Sequence, residues 1–258
     1  MRHYGLIGKS LSHSFSANFF RVKFENERID ADYTLIEVED ISAIREIVIE
    51  RELSGFNVTI PYKESIIPYL DELSDEAKAV GAVNCVVVRG GRLIGYNTDT
   101  TGIEATLEWM DIDQNARALI LGTGGASKAV QHVLKKYNLA YSIVSRDQKR
   151  GDYTYDMLDA EVMARHTLVV NATPVGMSPN KEEAPALPYE TLNAEHKVFD
   201  LIYNPATTQL LSRAKEQGAT TMNGILMLQT QAIASWHIWQ RAYEEFKEGN
   251  ICQASVND

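Results

Sequence analysis

Cysteine is scarce in this chain: only 2 of 258 residues, Cys85 and Cys252, and neither falls in a CxxC or Cys/His spacing. That argues against a disulfide scaffold and against a zinc site. Long apolar runs are lacking too. No stretch approaches the roughly 18 consecutive apolar residues of a membrane span, and the run around Tyr4–Gly8 is too short for the core of a signal peptide. Basic residues are in the minority, 25 Lys and Arg against 35 Asp and Glu, a formal net charge of −10. So acidic a chain has no general attraction for nucleic acid or an anionic membrane, and any anionic ligand must be held by a local arrangement. The 45% hydrophobic content is too high for disorder. A cytoplasmic, soluble protein is expected.

At about 150 residues per domain the length fits one large or two modest domains. The first hundred residues alternate short β-rich runs with amphipathic helices. Tyr4–Gly8, Tyr33–Val38 and Phe56–Ile60 read as strands, the last stopped by Pro61, and Phe15–Glu27 reads as a helix. Ile41, Ile44, Ile47 and Val48 put one apolar stripe on a second helix opposite Arg45, Glu46 and Glu50. Val83–Val88 and Leu93–Tyr96 flank Gly90-Gly91, a hairpin signal. Further on, Ile103, Leu107 and Met110 mark a linking helix. Strands are then expected at Arg117–Leu121, Tyr141–Ser145, Thr167–Asn171, Lys197–Ile202 and Ala219–Met222. A final helix over about Ile225–Lys247 aligns Leu228, Ala232, Trp236, Trp239, Tyr243 and Phe246. This rhythm predicts an α/β architecture with a mostly parallel sheet plus one antiparallel hairpin.

The strand Arg117–Leu121 runs directly into Gly122-Thr123-Gly124-Gly125-Ala126-Ser127 and then a helix, the context that gives a glycine-rich loop meaning. Gly122 permits a tight turn, Gly124 lets backbone approach a pyrophosphate, and the small Ser127 allows the helix to pack close to the strand. The helix N-terminus adds unpaired N–H groups and a positive dipole. A plain packing turn is the alternative. The end of the next strand reads Ser145-Arg146-Asp147-Gln148-Lys149-Arg150. Arg146 and Arg150 there favour the 2′-phosphate of NADP, whereas Asp147 keeps an NAD-using alternative open, as does a simple solvated charge cluster.

Several polar clusters remain that core building does not require: Ser14-Phe15-Ser16, Asn57 to Lys63, Gly81 to Asn84, and Asn97-Thr98-Asp99. All stand at strand ends or helix starts, where open α/β sheets gather ligands. Each also has a structural explanation, as a helix cap, turn or solvated charge. Taken jointly with NATPVGM, DLIYNP and NGILMLQTQ, the motifs SHSFS, NVTIPYK, GAVN, NTD and GTGGAS resemble the shikimate/quinate dehydrogenase family in order, from about residue 4 to 240.

The resemblance implies two α/β domains with the active site in a cleft between them. The substrate domain would take residues 1–100 plus 225–258, and a Rossmann domain for NADP residues 101–224. It implies NADPH-dependent reduction of 3-dehydroshikimate to shikimate, with Lys63 and Asp99 as the catalytic pair. An ammonium in reach of a carbonyl can stabilise and protonate the alkoxide that hydride delivery builds. Ser14 and Ser16 match hydroxyls that hold the substrate carboxylate. Asn57, Thr59, Asn84, Tyr203 and Gln231 match the other substrate positions, where neutral groups can both donate and accept. For the cofactor the matches are Gly122, Gly124, Gly125, Ala126, Ser127, Ser145, Arg146, Arg150, Asn171, Thr173, Pro174, Gly176, Met177 and Gly224. No metal is implied, and a monomer or homodimer is expected.

The chain departs from the family pattern in three places: Ala17, where Pro is common, Thr100, where Gly is frequent, and Ser145-Arg146-Asp147, where Asn-Arg-Thr is usual. The first two leave the chemistry untouched, and the third bears on the cofactor. Two other functions stay open at this point, an NAD-using quinate/shikimate dehydrogenase and a non-catalytic metabolite sensor that keeps the pocket. The six histidines are scattered without ligand spacing, and His13 reads as a loop residue beside the serines. Trp236 and Trp239 read as core, and Cys85 as a small buried hydrophobe.

Overall fold

The computed structural model describes residues 1–11 and 14–254, with side chains described through residue 248. His13 and the side chain of Cys252 lie outside the described residues. The chain divides into two compact units, one of Met1–Thr98 joined by the chain from Ala232 onward, the other of Asp99–Gln231.

The first unit contains β1 (Arg2–Gly8), α1 (Phe15–Glu27), β2 (Ala31–Glu37), α2 (Ile44–Glu50), β3 (Leu53–Val58), β4 (Glu72–Leu73), α3 (Asp75–Val80), β5 (Cys85–Arg89) and β6 (Arg92–Tyr96). Its six-stranded sheet has the order β2-β1-β3-β5-β6-β4. β1 lies parallel to β2 and β3, and the β5–β6 hairpin is antiparallel. Because side chains alternate across a strand, the sheet buries both faces. Ile7, Phe56, Val58 and Val86 face one cluster with Ile44, Val48 and Leu93. Tyr4, Leu6, Cys85 and Val87 face another, with Phe20, Phe24, Tyr33, Trp236 and Trp239. In the second cluster Tyr4 stacks on Trp239 with ring centroids 4.6 Å apart, and Phe20 stacks on Tyr33 at 4.5 Å. Buried Trp239 also donates Nε1–H to the Val86 carbonyl at 2.9 Å.

The second unit follows with α4 (Asp99–Trp109), β7 (Arg117–Leu121), α5 (Gly125–Lys136), β8 (Ala140–Val144), α6 (Ala160–Arg165), β9 (Leu168–Asn171), β10 (Lys197–Asp200), α7 (Gln209–Glu216) and β11 (Thr220–Met222). Its five strands are all parallel, in the order β11-β10-β9-β7-β8. Chain order reverses between β7 and β9. Outside the carboxyl ends of those two strands lies the switch point where doubly wound sheets take their ligands. The last helix, α8 (Ile225–Ala254), runs from this unit into the first.

Three expectations need correction. The strand at residue 56 ends at Val58, not Ile60: the chain turns at once, Tyr62 N–H bonding the Thr59 carbonyl at 2.9 Å. β4 and α3 have no counterpart in the sequence reading, being too short for periodicity to register; α3 is fixed locally by Ser74, whose Oγ accepts from Ala77 N–H at 3.1 Å. The apolar stripe of α8 stops at Trp239. Tyr243 and Phe246 are 37% and 45% exposed. Tyr243 instead receives the Arg2 guanidinium over its ring at 4.4 Å, a cation–π contact that ties α8 to the first strand.

Trp239→Phe should lower stability by about 1–3 kcal/mol from the orphaned Val86 carbonyl alone, before any packing loss. Urea unfolding of the variant against the natural chain measures this.

Candidate active site

The glycine turn is built as its sequence requires. Gly122 has φ 106°, a conformation that L side chains rarely adopt, and a Cβ there would lie 2.9 Å from Thr173 Cγ2. The turns after β7 and β9 therefore abut at the switch point. Gly124 is the N-cap of α5, with φ −86°, and makes no side-chain cap. A Cβ added at Gly124 would meet nothing within 4 Å. No neighbour within the chain calls for glycine at that position, and the space is open to a ligand that needs close backbone approach. Gly125 and Ala126 begin the helix, and Ser127 is fully buried, accepting from Gln131 Nε2 at 3.2 Å. The residues fit a pyrophosphate held by helix N–H groups.

After β8, Ser145 is buried and its Oγ accepts from Asp147 N–H at 3.1 Å. Asp147 caps the short 3-10 turn Gln148–Arg150, its carboxylate accepting from Lys149 N–H at 3.0 Å. One of its carboxylate oxygens is thus engaged by the local turn, and Arg146, Asp147 and Arg150 are all exposed. Asn171 closes β9 fully buried, and its Oδ1 accepts from both Thr173 N–H (3.0 Å) and Thr173 Oγ1–H (2.7 Å). Gly176 turns the same loop with φ 92°, and Pro174 and Met177 are exposed. Gly224 precedes α8, its N–H on the Ile202 carbonyl at 3.0 Å.

In the first unit the polar residues at the strand ends form one connected network. Ser14 is the N-cap of α1, its Oγ accepting from Ser16 N–H at 3.2 Å. Ser16 is buried and hydrogen-bonds the Tyr33 phenol, which burial keeps protonated far above the ordinary tyrosine range. Tyr33 donates to Asn57 Oδ1 at 2.9 Å. Asn57 Nδ2 in turn donates to the Asn84 carbonyl and to Ser235 Oγ, both at 3.0 Å. Ser235 also meets Thr98 Oγ1 at 3.0 Å, and Asn84 Oδ1 accepts from Thr98 N–H at 2.6 Å. The network brings Ser16, Asn57 and Asn84 together and fixes the residue before Asp99.

Lys63 is half-buried after β3, and its carbonyl accepts from Val83 N–H at 2.7 Å. The preceding Tyr62 anchors that segment by donating to the Val38 carbonyl at 2.7 Å. Thr59 is half-buried and its N–H reaches the Ile7 carbonyl at 2.9 Å. Asp99 is buried, 3% exposed, in the first turn of α4, where a carboxylate is favoured by the helix dipole. Tyr203 is half-buried beyond β10, and Gln231, on α8, donates to the Leu228 carbonyl at 3.0 Å.

Sequence reasoning missed four residues that hold these groups: Tyr33, Tyr62, Ser235 and Asp200. Tyr62, inside the NVTIPYK motif, and Asp200, which opens DLIYNP and whose carboxylate accepts from Asn171 Nδ2 at 3.0 Å, carried a local signal. Cys85 is buried as expected, and burial pushes its thiol up to about 12. Among the described residues no group of three or more His, Cys, Asp and Glu could hold a metal ion. No helix among them is long and apolar enough to cross a membrane.

A parallel sheet with a glycine turn at its switch point and a basic strand end defines a protein of the dinucleotide-binding class. Residues 6–86 match the family model described as the shikimate dehydrogenase substrate binding domain. A shikimate dehydrogenase (NADP(+)) from Methanococcus maripaludis is 36% identical over 253 residues, covering 91% of this chain and 90% of its own. One from Staphylococcus aureus is 38% identical over 247 residues, covering 92% and 91%. The crystal structure of shikimate 5-dehydrogenase from Thermus thermophilus in complex with NADP(H) and shikimate is similar at TM-score 0.83 and 30% identity, over 93% of each chain. The chain belongs to the shikimate dehydrogenase family.

The open space over Gly124 separates a structural role from a ligand role. Gly124→Ala should lower the melting temperature by no more than the small cost of an alanine N-cap, because the methyl group meets no protein atom, yet weaken NADPH binding by about tenfold or more through the lost approach to the pyrophosphate. Thermal melts beside NADPH fluorescence titrations check both halves.

Proposed function

We propose that this protein is an NADP-dependent oxidoreductase that reversibly reduces the 3-keto group of 3-dehydroshikimate to the hydroxyl of shikimate, on the route to chorismate and the aromatic amino acids. The observation that supports the nucleotide half is the helix N-terminus left open over Gly124 at the switch point. The substrate follows from the family. NADPH, when bound, supplies the hydride. Gly122, Gly124, Gly125, Ala126 and Ser127 would hold its pyrophosphate, and Ser145, Arg146 and Arg150 its 2′-phosphate. Asn171, Thr173, Pro174, Gly176, Met177 and Gly224 would line its nicotinamide ribose. That Asp147 turns one oxygen onto its own turn, with Arg146 and Arg150 exposed on either side, supports NADP over NAD.

On the substrate, Lys63 donates the proton that turns the developing alkoxide into a hydroxyl, and its charge stabilises that oxygen beforehand. Asp99 accepts hydrogen bonds from ring hydroxyls. Ser14 and Ser16 take the carboxylate at the start of α1, while Asn57, Thr59, Asn84, Tyr203 and Gln231 take the remaining hydroxyls. The amides Asn57 and Asn84 are pre-oriented by the buried network, so little ordering is left for binding. The cytoplasm is the expected compartment, with a monomer or homodimer as the working species.

Steady-state rates with shikimate and quinate, each paired with NADP+ and NAD+, test the reading. The highest kcat/KM is expected for shikimate with NADP+. Equal use of NAD+ would remove the cofactor half, and no shikimate oxidation with either nucleotide would remove the reading. Lys63→Ala should lower kcat by about 10²- to 10⁴-fold while changing the KM for shikimate little. Equal losses in both would count against a purely catalytic lysine.

A further inference from the structure

Asp200 ends β10 with no exposed surface, and among the described residues no basic side chain pairs with it. A buried carboxylate without a cation is costly unless its oxygens are hydrogen-bonded, and these are. Oδ1 accepts from Asn171 Nδ2 at 3.0 Å and from Ile202 N–H at 3.1 Å, and Oδ2 accepts from Thr208 Oγ1–H at 2.6 Å. The donors come from three chain segments: the end of β9, the stretch after β10, and the N-cap of α7.

Each donor leads onward. Asn171 holds Thr173 by its N–H and its hydroxyl, and Thr173 Oγ1 accepts from Val175 N–H at 3.3 Å. The Ile202 carbonyl receives Gly224 N–H at 3.0 Å, and Gly224 is packed so closely that an added Cβ would lie 2.0 Å from the Leu201 carbonyl oxygen. Thr208 Oγ1 accepts from Leu211 N–H at 3.3 Å, starting α7. One carboxylate thus joins Asn171, Thr173 and Gly224, which are distant in sequence and were assigned separately to the nucleotide. We propose that Asp200 is the positioning residue of the nucleotide site: its ionised carboxylate fixes the 171–175 loop and the Ile202–Gly224 contact in the arrangement that binds NADPH.

Burial raises the Asp200 carboxyl from its ordinary value to about 6, against the opposing pull of Thr208, Ile202 and Asn171. The nearby titratable and charged groups are the Tyr189 phenol, which burial pushes up to about 12 and which therefore stays neutral, and Arg213 of α7, whose guanidinium stacks over the Tyr189 ring at 5.2 Å. Below about pH 6 the carboxyl gains a proton: the charge that strengthens all three bonds is lost, and the Thr208 hydroxyl must turn from donor to acceptor. NADPH affinity should therefore be full above that pH and fall below it.

The proposal rests on the NADP reading above, and the experiment separates their failures. NADPH titrations from roughly pH 5 to pH 8 bracket the value of about 6 and use the natural chain, Asp200→Asn and Thr208→Val, with the KM for shikimate measured alongside. Asp200→Asn should weaken NADPH about tenfold at the alkaline end, the worth of one charge-assisted hydrogen bond, with little change in the KM for shikimate. It should also lose the fall in affinity that the carboxyl adds to that of the 2′-phosphate, which titrates equally in every sample. Thr208→Val keeps the carboxylate but removes one donor, so its fall should shift to higher pH. An Asp200→Asn variant that binds NADPH like the natural chain, or an unshifted Thr208→Val curve, overturns the role of Asp200 alone. A natural chain that does not bind NADPH overturns the NADP reading and this role with it.

Discussion

Polar groups can be buried at the ends of a sheet only when each finds a partner, and that constraint organises both units of this chain. Among the described residues no buried side-chain nitrogen or oxygen lacks a hydrogen bond. In the first unit the Asn57 amide is the node: it accepts from Tyr33 and donates to the Asn84 carbonyl and to Ser235. In the second, the Asp200 carboxylate gathers Asn171, Ile202 and Thr208. Strands end in these nodes, and the loops that carry the candidate site residues start from them. Precision at the sites therefore comes from satisfying buried polar atoms, a demand stricter than apolar packing, because an unsatisfied group carries its full desolvation cost.

The handling of anions follows the same logic. A net charge of −10 leaves no general attraction for phosphate or carboxylate, and the chain compensates with geometry. Backbone N–H groups at the start of α5, a hydroxyl-capped start to α1, and two exposed arginines after β8 give local positive potential without changing the overall balance. The one acidic residue among those arginines, Asp147, turns one carboxylate oxygen onto the turn it caps.

Features encoded locally were legible in the sequence. β7, the glycine turn and α5 declare themselves because strand, turn and helix are contiguous and each residue type there has one steric reason. The β5–β6 hairpin did so for the same reason. What stayed hidden depends on residues far away in sequence. Asp200 looks like an ordinary strand-end acid until the fold delivers Asn171 and Thr208 to it. Ser235 is a plain helix serine until Asn57, 178 positions away, meets it. Tyr243 and Phe246 fit the helical stripe well, but they stay 37% and 45% exposed, Tyr243 meeting the Arg2 guanidinium rather than the aromatic cluster. Periodicity reports a face and not the extent of its partner.

The first unit takes its core from both ends of the chain: the bond from Trp239 to Val86 spans 153 residues, and Tyr4 waits for the same indole. During synthesis the sheet of β1–β6 emerges with one aromatic face bare, while the second unit, contiguous in the chain, can fold as it leaves the ribosome. Closing that long loop makes completion of the first unit the slower event. Until α8 arrives, Tyr4, Phe20 and Tyr33 form an exposed apolar surface of the kind that chaperones bind and that associates between nascent chains. The final helix is thus the step at which the growing chain ceases to be sticky.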